Sequence, residues 1–139
     1  MKRNIVPITW LGTFILSLTC VNFSAALAYA QPEARSDKGI TYLSGGIGLD
    51  ERDALRATAR DYNLMLSFAE KAGNYVSGVE VVIKDSKGST ILETVSQGPW
   101  FFMKLLAGRY TMMATTMGKT NQQVAKVPAK GQTQLYFYW

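Results

Sequence analysis

The sequence contains no histidine, and its one cysteine, Cys20, lies in an apolar stretch near the N-terminus. Without histidine a chain has no Ser–His or Cys–His nucleophile pair and no imidazole to ligate zinc. With the cysteine confined to that stretch, the remainder of the chain has neither a thiolate site nor a disulfide. We therefore expect a protein that is not an enzyme, that has no cofactor and no metal site, and whose fold depends on its apolar core alone.

Charged residues are also scarce. They make up 18% of the chain, and the net charge is +5 at pH 7. Lys2 and Arg3 supply part of that charge at the extreme N-terminus. The other basic residues do not form the dense Lys/Arg cluster that nucleic-acid-binding proteins use, so no nucleic-acid partner is expected.

The N-terminal 30 residues have the order of a secretory signal peptide. Lys2 and Arg3 precede a run from Ile5 to Ala30 that carries no charge and ends in the small-residue pattern Ala-Tyr-Ala. This pattern predicts a signal peptide over residues 1–30, cleaved after Ala30, and a periplasmic or secreted protein with no membrane span after cleavage. The run is also long enough to cross a bilayer, so an uncleaved inner-membrane anchor is the alternative.

The segment that follows predicts a leader and one helix. Residues 31–47 mix charge, proline and glycine without periodicity, which is typical of a flexible leader. In "LDERDALRATARDY" apolar residues then recur at helical spacing, and Asp50 is a suitable N-cap. We expect a short helix from Glu51 to Arg60, belonging to a domain that spans residues 48–139.

From Leu64 onward the apolar residues alternate with period two, and turn signals recur about every ten residues. The segments with this pattern are "LMLSFAEK", "VEVVIKD", "TILETV", "WFFMKL", "RYTMMAT", "QQVAKV" and "TQLYFYW". Seven short strands at this spacing predict a mainly β fold, a seven-stranded antiparallel β-sandwich with one short N-terminal helix.

The segments "VEVVIKDSKGSTILET", "GPW" and "LLAGRYTMMAT" followed by "GK" resemble the carboxypeptidase regulatory-like domain, a transthyretin-like (prealbumin-like, Ig-like) β-sandwich. The resemblance covers Ile40 to Trp139, and the layout is similar to small exported proteobacterial proteins that carry this domain alone. It implies that Tyr110 packs beneath the "LLAG" corner with its hydroxyl bonded to nearby backbone. Such a resemblance indicates the sandwich and says little about function.

The orientation of the strand "WFFMK" decides which of its aromatic side chains reach the surface. Strict alternation back from the charged Lys104 would turn Trp100 and Phe102 outward. The family resemblance implies the opposite, because apolar positions three and five before the corner leucine usually point inward. It places Trp100 and Phe102 in the core, with a bulge after Met103, and leaves Phe101 and Met103 facing outward.

The last strand has the same division between two faces. The residues expected to face the core are Leu135, Phe137 and Trp139. The outward set is then Phe101, Met103, Tyr136 and Tyr138, which forms one exposed patch if the two strands are neighbours. This set is the first candidate binding site, and it predicts a non-catalytic interaction module for an unknown envelope protein or glycan. The alternative is that the helix or the leader covers the patch.

A second candidate site lies on the helix, where Arg52, Arg56 and Arg60 recur every four residues. Such a basic stripe could bind anionic lipid headgroups or an envelope glycan, which is the alternative function. It could equally be a solvated face on which Asp53 pairs with Arg56. A hydrolase that uses only serine, lysine or carboxylates is the third interpretation, and it is disfavoured because the usual nucleophile–base pair is missing.

Overall fold

The computed structural model describes residues 32–139, so the expected signal peptide, residues 1–30, lies outside the described residues. The described part forms nine strands, one α-helix and one short 3-10 turn. The helix α1 spans Leu49–Thr58 and continues into the 3-10 turn Ala59–Asp61. The strands are β1 Arg35–Asp37, β2 Ile40–Gly45, β3 Leu64–Ala69, β4 Glu80–Lys84, β5 Thr90–Val95, β6 Trp100–Lys104, β7 Gly108–Thr116, β8 Lys119–Val127 and β9 Thr133–Tyr138. Within residues 32–139, no helix is both long and apolar enough to span a membrane.

The strands form two sheets that pack face to face. One has five strands in the order β1-β2-β6-β3-β9, and the other has four in the order β5-β4-β7-β8. The mainly β sandwich with one short helix is thereby confirmed, and the seven expected strands are β3 to β9. Two details differ from expectation. The described residues form nine strands rather than seven, and β9 runs parallel to β3, from Leu64↔Thr133 to Ala69↔Tyr138.

The flexible leader expected over residues 31–47 contains β1 and β2 instead. These strands form a hairpin through Lys38 and Gly39, whose φ angles of 48° and 80° are those of a two-residue type I′ turn. Strand β2 then pairs with β6 over five residues, from Thr41↔Lys104 to Gly45↔Trp100. The prediction was wrong because the short apolar alternation in "ITYLSG" becomes a strand only by pairing with a segment 60 residues further on.

Helix α1 begins two residues before its predicted start and covers the outer face of the five-stranded sheet. Its N-cap is Gly48 rather than Asp50. The carboxylate of Glu51 instead accepts a hydrogen bond from the N–H of Ile47 at 2.9 Å. The helix packs over a small second cluster on that face, whose members are Leu43, Leu55, Tyr62, Trp100 and Phe102.

The main core lies between the two sheets and takes a side chain from every strand except β1.

Strand β6 is oriented opposite to the expectation from the family resemblance. Phe101 and Met103 have exposed fractions of 0% and lie in the main core, so their assignment to the surface was wrong. Trp100 and Phe102 lie on the outer face beneath α1. The pairing of β6 with β2 runs unbroken from Trp100 to Lys104, without the expected bulge. Strict alternation therefore governs the strand, and both of its faces are apolar because both are covered.

The corner that follows β6 agrees with expectation. The Tyr110 hydroxyl donates a hydrogen bond to the backbone oxygen of Leu106 at 2.8 Å, as predicted. Burial, with a smaller contribution from the charge of Asp85, raises the pKa of Tyr110 above its usual value of 10.0. The phenol therefore stays neutral and keeps donating to the corner well into alkaline pH.

Candidate functional site

Only the two tyrosines of the expected aromatic set reach the surface. Tyr136 and Tyr138 lie on the outer face of the five-stranded sheet and are 49% and 51% exposed, as predicted for β9. Phe137, between them, is buried in the main core, which confirms the alternation of that strand. Since Phe101 and Met103 face the opposite side of the same sheet, the structure does not bring the four residues together.

A chain of hydrogen bonds orders the polar side chains on this face of β9. The Tyr136 hydroxyl donates to Gln134 Oε1 at 3.0 Å, and Gln134 Nε2 donates to Gln132 Oε1 at 3.1 Å. Gln132 Nε2 then donates to the backbone oxygens of Ala59 and Tyr62 at 2.9 and 3.1 Å. We call Gln132, Gln134 and Tyr136 the β9 row. The row is therefore tied to the 3-10 turn that follows α1, and these hydrogen bonds orient its side chains.

Two adjoining grooves separate the β9 row from α1. One, of about 250 Å³, is lined by residues that include Arg56, Gln134, Met65 and Trp100. The other, of about 340 Å³, is lined by Arg60 and Tyr62, and both grooves share Ala59 and Gln132. We call the pair the α1–β9 groove. It places two of the three stripe arginines beside the exposed face of β9.

Of the three arginines of the expected stripe, Arg52 and Arg56 lie on α1 and Arg60 lies in the 3-10 turn that follows it. The guanidinium of Arg52 lies 5.3 Å from the ring centroid of Tyr75, and that of Arg56 lies 5.2 Å from the ring centroid of Trp100. Arg56 also pairs with Asp53 at 2.8 Å, which confirms the ion pair expected for a solvated face. Both cations are therefore held over aromatic rings. Of the three, Arg56 and Arg60 are the ones that line the α1–β9 groove.

The open edge of β9 is covered by side chains of the other sheet. The backbone oxygen of Tyr136 accepts a hydrogen bond from Gln123 Nε2, and that of Tyr138 accepts one from Asn121 Nδ2, both at 2.7 Å. A strand added to this edge would displace both bonds. The outer face of β9, rather than its edge, is therefore the surface available for contact.

The groove offers binding chemistry of three kinds. Arg56 and Arg60 supply guanidinium donors, and the amides of the β9 row supply neutral donors and acceptors. Burial, with a smaller contribution from the charge of Asp61, raises the pKa of Tyr62, so its phenol remains neutral there. Within residues 32–139, no three Asp, Glu, His or Cys side chains lie close enough together to hold a metal ion.

Comparison with known protein families finds no family model that matches this chain. Comparison with curated proteins finds no matching relative either. The candidate site therefore rests on its own geometry.

Sequence reasoning found Tyr136, Tyr138 and the arginines but missed the two glutamines of the β9 row. The sequence did contain a signal for them. Gln132 and Gln134 lie four and two residues before Tyr136, so the alternation of β9, continued toward the N-terminus, places them on the same face as the tyrosines. No local pattern indicates that this face lies beside α1. The face lies beside α1 because β9 pairs with β3, the strand that directly follows the helix in the chain.

Proposed function

We propose that this protein is a non-catalytic binding module that contacts its partner through the outer face of β9 and the α1–β9 groove. The proposal rests on one observation. The half-exposed Tyr136 and Tyr138 lie on the same face as the hydrogen-bonded glutamines of the β9 row, and Arg56 and Arg60 line the groove beside that face. Tyrosine supplies rigid, amphipathic contact area at low entropic cost. Its neighbours supply hydrogen bonds and positive charge.

The same chemistry favours an acidic glycan as the partner. A tyrosine ring stacks on the apolar face of a sugar, glutamine amides bond to hydroxyls, and a guanidinium binds a carboxylate or phosphate with two parallel hydrogen bonds. The expected signal peptide supports a partner in the cell envelope or outside it.

The first test compares binding of the full-length protein to surfaces carrying acidic or neutral envelope oligosaccharides. We expect retention on the acidic surface and an affinity loss of about tenfold or more in Tyr136→Ser/Tyr138→Ser. Val95→Ser/Val124→Ser is the matched control, because these residues are 53% and 47% exposed on the outer face of the other sheet. Equal binding by both double variants would contradict the proposed surface. In-cell crosslinking that captures a protein through Tyr136 and Tyr138 would instead assign the face to a protein partner.

The second candidate function, binding to anionic lipid through the basic helix, is favoured by the position of Arg56 and Arg60 in the groove. It predicts that Arg56→Gln/Arg60→Gln abolishes binding to anionic vesicles while Tyr136→Ser/Tyr138→Ser leaves it unchanged. Such binding should also weaken steeply with salt, because exposed charges are screened within a Debye length of about 8 Å at physiological ionic strength. Arg52→Gln serves as the control, since Arg52 does not line the groove.

A further inference from the structure

A cavity of about 650 Å³, larger than either groove beside α1, opens where the β1–β2 turn, the β4–β5 hairpin and the β6–β7 corner meet. It lies toward the β1, β2 and β5 side of the sandwich, whereas β9 forms the other edge. It shares no lining residue with the α1–β9 groove. Its volume is within the range of pockets that hold small organic ligands.

The wall of this cavity is mostly apolar. Ile40 and Ile91 line it and pack against the main core, and the ring of Tyr110 forms part of its surface. Leu106 also lines the cavity, and 85% of its surface is exposed to water. An apolar molecule that entered would remove these side chains from water, which is the main favourable contribution to such binding.

The charged groups around the cavity give it a positive character. Lys38 and Lys104 both line it. Within residues 32–139 the single ion pair is Arg56–Asp53, so in this part of the chain neither lysine is paired with a carboxylate.

The one carboxylate at the cavity, that of Asp85, is already engaged by its own hairpin. Its Oδ1 accepts hydrogen bonds from the backbone N–H groups of Lys87 and Ser89 at 2.9 and 3.0 Å. The Tyr110 hydroxyl donates to Leu106, which leaves the phenolic oxygen able to accept a further hydrogen bond. The arrangement therefore combines an apolar wall and a neutral phenol with two unpaired cations and one carboxylate, which leaves a net charge of +1 at the cavity.

We propose that this cavity binds a small amphipathic anion, with its apolar body against Ile40, Ile91 and Leu106 and its anionic head at Lys38 and Lys104. The head is a carboxylate, sulfate or phosphate, and the body is a single acyl chain or an aromatic ring system. This site is independent of the proposed glycan surface.

The test is a calorimetric titration of the full-length protein with dodecanoate and with dodecanol, which has the same body and no charge. We expect dodecanoate to bind at least about tenfold more tightly than dodecanol. Lys38→Ala/Lys104→Ala should remove that preference, whereas Lys71→Ala/Lys130→Ala, two exposed lysines that do not line the cavity, should retain it. An aromatic sulfonate titrated in the same way shows whether the body is acyl or aromatic.

A second variant tests the position of Leu106 at the cavity. Leu106→Asp should keep the fold, because this side chain is exposed, and should weaken dodecanoate binding by about tenfold or more, because it replaces an apolar contact with a negative charge. Either of two results would overturn the proposal: failure of both dodecanoate and the aromatic sulfonate to bind at about 1 mM, or equal binding of the anion by wild type and Lys38→Ala/Lys104→Ala. Binding to anionic vesicles without binding to either free anion would also overturn it, because a membrane surface would then be the ligand.

Discussion

Asn63 joins three parts of the fold through one buried side chain. Its Nδ2 donates to the backbone oxygens of Leu105 and Pro128 at 2.6 and 3.1 Å, and its Oδ1 accepts from the N–H of Leu105 at 2.8 Å. The residue is 3% exposed. Because buried backbone groups need hydrogen-bond partners, the corner after β6 and the segment before β9 both depend on this amide.

We predict that Asn63→Ala lowers the free energy of unfolding by about 2–3 kcal/mol, because it leaves buried backbone groups without partners. Asn121→Ala is the control. Its amide makes one hydrogen bond in an exposed position, to Tyr138, and its loss should cost less than about 1 kcal/mol. Urea denaturation of both variants measures the difference, and equal losses would contradict the role assigned to Asn63.

At the scale of the element, β6 and β9 differ in how many of their faces are covered. Strand β6 lies between β2 and β3, with the main core on one side and α1 on the other. Strand β9 is at the edge, and its outer face is open at Tyr136 and Tyr138. Aromatic residues in β6 therefore contribute to stability, whereas the two tyrosines of β9 are available for binding.

The difference between these strands predicts opposite results for similar substitutions. Phe101→Ala should lower the free energy of unfolding by about 3–5 kcal/mol, because it empties a fully buried site where the ring stacks on Tyr42 at 5.3 Å. Tyr136→Ala should change it by less than about 1 kcal/mol, since that ring is half exposed. Thermal unfolding followed by circular dichroism measures both. A large loss in Tyr136→Ala would show that the β9 face is structural.

At the scale of the whole molecule, stability comes from contacts between distant parts of the chain. Phe137 of the last strand packs against Phe68 of β3 with ring centroids 5.9 Å apart, and β2 pairs with β6. Cys20, the single cysteine, lies outside the described residues, so the sandwich itself has no disulfide. Unfolding is therefore expected to be one cooperative transition of the sandwich.

The pH dependence of that transition follows from Tyr62 and Tyr110. Burial raises both pKa values above 10.0, so the folded protein holds these protons more tightly than the unfolded chain. Their contribution is fully present below pH 10 and is lost as the pH rises through the folded values. The free energy of unfolding should thus fall at alkaline pH, and Tyr62→Phe/Tyr110→Phe should reduce the decline. Urea denaturation at several pH values checks this, and an unchanged decline in the variant would assign it to other groups.

How much could be predicted from the sequence depended on how local each signal was. The helix and the strands β3 to β9 were predicted because their apolar spacing lies within a few residues. The outward orientation of Tyr136 and Tyr138 followed from the same alternation, whereas their exposure did not, because alternation does not show whether another element covers that face. The pairing of β2 with β6, the parallel pair β3–β9 and the groove lined by Gln132 and Arg56 could not be predicted, because each joins segments far apart in the chain.

By itself, the sequence determined that the sandwich has no histidine or thiol, that its strands alternate, and which β9 side chains face outward. Alternation back from Lys104 also indicated that Phe101 and Met103 lie on the core side of β6. Tertiary structure alone decided that the opposite face, with Trp100 and Phe102, is buried as well, because α1 folds over that face while the second sheet covers Phe101 and Met103.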